Sequence, residues 1–128
     1  MAEIKPDGKV LVVDDEPQVV WVLQFSLEAE GYSTVAATDG AEALERIGEH
    51  HPNVMLLDIM MPEMDGWAVL ETLVSIAPED RPKVVVVSAL SSLKDRAKAA
   101  ELGADAFVPK PFNVDELLKV LNGLQRSS

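Results

Sequence analysis

Cysteine is absent from this chain of 128 residues, which excludes disulfides and thiol chemistry and makes a reducing cytoplasm the expected setting. Cations are scarce. Eleven Lys and Arg face 22 Asp and Glu, leaving a net charge of -11 and a pI near 4.4. That balance argues against direct binding to nucleic acid or to an anionic membrane surface. No apolar run is long enough to cross a bilayer, and the opening residues Met1-Ala2-Glu3-Ile4-Lys5-Pro6 lack the apolar region of a signal segment. No internal repeat, low-complexity tract or Gly-rich lysine loop is present, so the usual phosphate cradle of nucleoside triphosphatases is missing. What remains is ordinary for a globular domain: 48% hydrophobic and 26% charged residues, enough for one well-buried core.

The most informative pattern is where the charges fall. Lys9-Val10-Leu11-Val12-Val13 ends in Asp14-Asp15, Val54-Met55-Leu56-Leu57 ends in Asp58, and Ala106-Phe107-Val108-Pro109 ends in Lys110-Pro111. Short apolar runs closed by polar residues suit fully buried parallel strands. If all three share one parallel sheet, their C-terminal ends share an edge, which is where open α/β sheets place ligand sites. Two carboxylates about 4 Å apart repel by roughly 4 kcal/mol at an effective dielectric of about 20. Three acids facing one ammonium therefore suit a divalent cation and a phosphoryl group better than they suit structural support.

Strand-like and helix-like segments alternate along the whole chain. Pro17 opens a helix running to about Glu30 and stopped by Gly31; Ser33 to Ala37 is a second strand, and Asp39-Gly40 turns into a helix over Ala41 to Glu49. After Val54 to Leu57, a loop over Ile59 to Asp65 precedes a helix from Gly66 to about Ile76. Lys83 to Val87 forms a strand delivering Ser88 to the acidic edge, followed by a helix over Leu93 to Glu101 and a last strand over Ala106 to Val108. In the final helix Asn113 and Glu116 suit a capping box, and Val114, Leu117, Leu118 and Leu121 form an apolar stripe. Such alternation implies a parallel sheet with helices on both faces. Pro109 favours an edge position for the fifth strand, as in a flavodoxin-like doubly wound five-stranded sheet of order 2-1-3-4-5 with about five helices.

These segments resemble the receiver domain of bacterial two-component response regulators over essentially the whole chain. Val12-Val13-Asp14-Asp15-Glu16-Pro17 is similar to the family's acidic pair, and Leu56 through Gly66, with Asp58-Ile59-Met60-Met61-Pro62 at its centre, to the phosphoacceptor segment. Val87-Ser88-Ala89 matches the hydroxyl position and Lys110-Pro111-Phe112 the lysine motif. The resemblance implies a single receiver domain over 1–128, its core about 8–124 with a short polar tail 125–128, as a stand-alone regulator or a piece of a larger one. It implies Asp58 as phosphoacceptor and Asp14, Asp15, Asp58 and the Met60 backbone carbonyl as Mg²⁺ ligands. Ser88 and Lys110 would contact the phosphoryl group; the bond matching Lys110-Pro111 is cis in that family, while the residues alone leave its state open. Ser88 and Phe107 would form the switch. Phenylalanine lacks the hydroxyl of the tyrosine frequent there, so the switch is expected to rest on packing alone. Output would pass through the surface of helix four, strand five and helix five, with Lys94, Asp95, Lys98 and Lys119 on it, by dimerisation among other routes. The donor would be a histidine kinase or histidine phosphotransfer protein. Beyond its own phosphorylation and dephosphorylation the chain would catalyse nothing.

Residue chemistry weighs against rival classes. A flavin module of this fold needs a Ser/Thr/Gly phosphate loop where Asp14-Asp15 would repel one. An aspartyl-nucleophile phosphatase needs a second acid that Asp58-Ile59-Met60 lacks. A degenerate receiver acting only in protein interaction stays open, as does the reading that Asp14 and Asp15 merely cap the first helix. His50-His51 reads as a loop before Pro52, and Met60, Met61 and Met64 as loop packing. In the first helix Val19, Leu23 and Leu27 are expected to centre the core face. Trp21 and Phe25 then fall opposite, as an outward patch for a kinase or phosphotransfer partner unless another helix covers them. In relatives, the residues two beyond the phosphoacceptor and two beyond the hydroxyl flank the path of hydrolytic water. Here they are Met60 and Leu90, which orient no water, so a long-lived phosphoform is expected.

Overall fold

In this computed structural model, residues 8–61 and 64–126 are described. Pro62 and Glu63 of the phosphoacceptor-like segment and the end of the polar tail lie outside them. The elements run β1 (Lys9–Val13), α1 (Pro17–Ala29), β2 (Ser33–Ala37), α2 (Gly40–His50), β3 (Val54–Leu57), α3 (Gly66–Leu73), β4 (Lys83–Ser88), α4 (Leu93–Glu101), β5 (Ala106–Pro109) and α5 (Val114–Arg126). All strand pairs are parallel, in the order β2-β1-β3-β4-β5. This is the flavodoxin-like order, with β5 and its Pro109 at an edge.

The period-two alternation of each strand divides the core in two. Leu11, Val13, Met55, Leu57, Val84 and Val86 face one side, with Ala43 and Ile47 of α2, Val69, Leu70 and Leu73 of α3, and Ala99 of α4. Val10, Val12, Val54, Leu56, Val85 and Val87 face the other, with Val20, Leu23 and Leu27 of α1 and Leu117 and Leu121 of α5. Each buried Val, Leu, Ile or Met side chain among them stabilises the fold by about 1.5–3 kcal/mol relative to exposure. That sum is what makes the central strands rigid enough to hold a site at their ends.

Several boundaries differ from expectation for local reasons. β4 and β5 reach Ser88 and Pro109, because those two residues still pair with each other. α3 ends at Leu73, short of Ile76, and a 3₁₀ turn over Pro78–Asp80 leads into β4. In α1 the buried face is Val20, Leu23 and Leu27, with Val19 only partly buried beside them. Leu23 and Leu27 are thus on the core face as expected, and only the first member differs, Val20 in place of Val19. Asn113 accepts from the N–H groups of Asp115 (2.8 Å) and Glu116 (3.3 Å), as its place before α5 suggests. At α4 the cap is a reciprocal capping box, between Ser92 and Asp95. His51 closes α2 in a left-handed conformation (φ 49°), so it serves as a helix stop.

Candidate functional site

Register builds the site. Val13 lies beside Leu57 across the β1–β3 pair, and the Asp58 N–H donates to the Val13 carbonyl at 3.0 Å. The chain thus delivers Asp14 and Asp58 side by side just past the strand ends. Both are buried, at 3% and 5% exposure, while Asp15 is exposed at the rim. One carboxylate oxygen from each of the three lies within 4.8 Å of the others. From the other side, the Lys110 N–H donates to the Ser88 carbonyl at 3.0 Å, which fixes the lysine beside β4. Its Nζ then reaches Asp14 Oδ2 at 2.8 Å and Asp58 Oδ2 at 3.2 Å, with the exposed Glu16 carboxylate at 3.6 Å. The Lys110-Pro111 bond is cis.

Asp14 does two things at once. Its Oδ1 accepts the Glu16 N–H at 2.9 Å while Oδ2 takes the lysine. The N-cap residue of α1 is Glu16, which makes no side-chain cap bond. Asp14 thus meets the start of α1 with one oxygen, and its contact with Lys110 through the other is not helix capping. Ser88 is fully buried and its Oγ accepts the Leu90 N–H at 3.1 Å. The Met60 N–H donates to Asp58 Oδ1 at 3.2 Å. Gly66, in the resembling segment but with no role expected from it, proves sterically necessary. A Cβ there would lie 2.6 Å from the Asp58 carbonyl and 2.7 Å from Ile59 Cα.

Electrostatics follow from burial. Desolvation pushes the Asp58 carboxyl upward, the nearby Lys110 charge opposes this, and Asp14 adds to it, leaving the pKa raised. For Lys110, burial works to lower the pKa. The hydrogen bond to Asp14 and the attraction of Asp58 and Asp14 outweigh it, so the ammonium is held more firmly than usual. Three carboxylates against one ammonium leave an excess of two negative charges, and all the donors are hard oxygens. This donor set fits a divalent cation that prefers oxygen ligands, as Mg²⁺ does.

The remaining expected residues lie around this centre. Trp21 and Phe25 are 65% and 64% exposed, so no helix covers them, and their rings stack with centroids 5.4 Å apart. Phe107 is half-buried against the α2–α4 side of the core. It does not rest on packing alone. The Arg96 guanidinium lies 5.1 Å from its ring centroid. Lys98, expected on the β5 side of α4, instead stands 4.3 Å over the ring of Trp67 on α3. Met60 and Leu90 both line a cleft of about 360 Å³ with Asp15, Ile59, Met61, Asp65 and Trp67. No periodic signal marks Trp67, Arg96 or Lys98, because their contacts join elements far apart in sequence.

Acids gathered at the switch point of a parallel sheet, with a hydroxyl and a lysine from the next two strands, define a class of signalling domain. The model of the response regulator receiver domain family matches residues 10–122, and the chain belongs to that family. The transcriptional regulatory protein KdpE of Mycobacterium tuberculosis is 41% identical over 119 residues, covering 91% of this chain and 50% of that protein. The probable transcriptional regulator ycf27 of Cyanophora paradoxa is 41% identical over 118 residues, covering 92% and 48%. The chain spans about half the length of the curated relatives it matches. Among solved structures, the receiver domain of the Francisella response regulator 1452 superposes with a TM-score of 0.87 at 33% identity, covering 95% of this chain and all of that one. The chemotaxis response regulator CheY4 of Vibrio cholerae gives 0.85 at 27%, covering 91% and 98%. Receiver domains are the phosphorylation switches of two-component systems, and the acidic pocket fits that role, so a purely interaction-based module is not favoured. Among the described residues no helix is long and apolar enough to cross a membrane.

Proposed function

We propose that this chain takes a phosphoryl group onto Asp58 from a phosphohistidine, on a histidine kinase or a histidine phosphotransfer protein, in the cytoplasm. One observation carries the reading: Asp58 is a buried carboxylate at a strand end, within hydrogen-bond reach of a partly buried ammonium and grouped with two further acids. Asp15 and Asp58, with Asp14 directly or through water and the Met60 carbonyl, would hold Mg²⁺. When bound, the ion neutralises charge on the phosphoryl oxygens and favours the ionised form of the acids. An Asp58 oxygen attacks phosphorus, the P–N bond breaks, and its electron pair returns to the donor imidazole. Lys110 stabilises the charge carried across, and Ser88 donates its hydroxyl to a phosphoryl oxygen.

Drawing Ser88 toward the phosphoryl group leaves space for Phe107 to turn inward, which withdraws its ring from Arg96. The α4–β5–α5 surface changes as a shift between existing states, with dimerisation as one output. Trp21 and Phe25 form the surface that meets the phosphodonor protein. With a net charge of -11, the chain itself is no ligand for nucleic acid.

Asp58→Asn is expected to abolish Mg²⁺-dependent labelling by acetyl phosphate, with circular dichroism unchanged. Undiminished label would place the acceptor elsewhere. The same variant carries a stability signature. Because the folded pKa of Asp58 is raised, its contribution is full in acid and lost as pH climbs from the ordinary aspartate range through the folded value. In chelator at neutral pH, Asp58→Asn therefore unfolds at higher urea than the wild type, and the gap closes as pH falls through that window.

A further inference from the structure

The cleft lined by Met60 and Leu90 reaches the phosphoacceptor through two of its walls. Asp15 belongs to the acidic cluster, and the Met60 N–H is bonded to Asp58. Its largest wall is Trp67, the second residue of α3, half-buried against the core. The ring is covered by Lys98, whose ammonium lies 4.3 Å from the centroid. Lys98 belongs to a different element, α4, and that helix is anchored in the core by Ala99 as its one buried residue. A surface cation on a lightly seated helix thus touches the indole that borders the route to Asp58.

We propose that Lys98 is a positioning residue for retention of the phosphoryl group. Its cation–π contact holds Trp67 in place as the wall of the cleft and, with Met60 and Leu90, keeps water from the acyl phosphate. This rests on Asp58 being the phosphoacceptor. The step under control is hydrolysis. A water oxygen attacks phosphorus, the bond from phosphorus to the Asp58 oxygen breaks, and its electron pair stays on the restored carboxylate while inorganic phosphate departs. Water must arrive opposite the breaking bond, so a displaced wall admits more productive approaches. Arg96, two residues earlier, holds Phe107. Motion of α4 during switching, or capture of Lys98 by an acidic partner, therefore alters the lifetime of the signal. No residue of the phosphorylation site need move for that.

The full chain is labelled with acetyl phosphate and Mg²⁺, the donor is removed, and loss of phosphoform is followed on phosphate-affinity gels. Lys98→Met, which keeps the stem and loses the charge, should decay about three- to fivefold faster, the weight of one exposed cation–π contact. Lys98→Arg should restore the wild-type rate, since a guanidinium also sits over indole. In a Trp67→Leu background, where the wall is already lost, Lys98→Met should add nothing. Wild-type decay in Lys98→Met, failure of arginine to restore it, or an undiminished effect without Trp67 each overturns the proposal. Absence of label in the wild type instead overturns the phosphoacceptor reading and this inference with it.

Discussion

Helix α1 drives Val20, Leu23 and Leu27 into one face of the sheet and makes no side-chain cap bond at its start. Helix α4, on the opposite face, buries Ala99 and is otherwise fixed by polar devices: the Ser92–Asp95 box, Arg96 over Phe107 and Lys98 over Trp67. The first is held by apolar area, which is lost all at once or not at all. The second is held by separate contacts of about 0.5–1 kcal/mol each, which can be given up singly. A protein that must keep one side constant for recognition and let another move for output needs both kinds of seating. The same division explains what each helix can expose. α1 keeps a stacked aromatic pair in water because three other residues anchor it, whereas α4 presents mostly charge.

The largest effect that tests this contrast is loss of an anchor. Leu27→Ala, at a side chain 1% exposed, should cost about 2–5 kcal/mol by urea unfolding, the range for a buried leucine truncation. A loss under about 1 kcal/mol would mean that α1 is no better seated than α4. Next in size is Trp21→Ala. Stability should barely change, but transfer from the cognate kinase should slow about tenfold, roughly 1.4 kcal/mol of lost contact. Labelling by acetyl phosphate should stay intact. Equal loss from both donors would make the residue structural. The smallest is Ser92→Ala, which removes the α4 cap at a cost of about 1 kcal/mol. Hydrogen exchange should quicken across α4 while α1 stays protected, and a uniform change would merge the two regions.

The sheet and the pocket were largely legible in the sequence, and the two helices were not equally so. Four apolar runs ending in Asp, Ser or Lys announce buried strands and a common edge, because burial on both faces leaves little choice of residue. α1 was read as a helix with its aromatics outward and Leu23 and Leu27 inward, though Val20 rather than Val19 completes its core face, since the two valines are chemically alike. For α4 the pattern showed only charge. Which ring each cation covers depends on how α3 and β5 flank it, a tertiary fact with no period in the sequence. Gly66 was visible as a helix start, but not as the residue that lets α3 approach within contact of the Asp58 backbone.

The chain has two tryptophans, and the fold puts them on opposite faces of the sheet. Trp21 stands in water against Phe25, whereas Trp67 lies half-buried beneath an ammonium. Their emission should therefore differ in colour and in access to dissolved quenchers. Light from Trp21 should change when a phosphodonor protein docks, and light from Trp67 when α4 shifts. With one of the two replaced by phenylalanine, an unlabelled sample should report arrival of the message and its dispatch as separate optical signals.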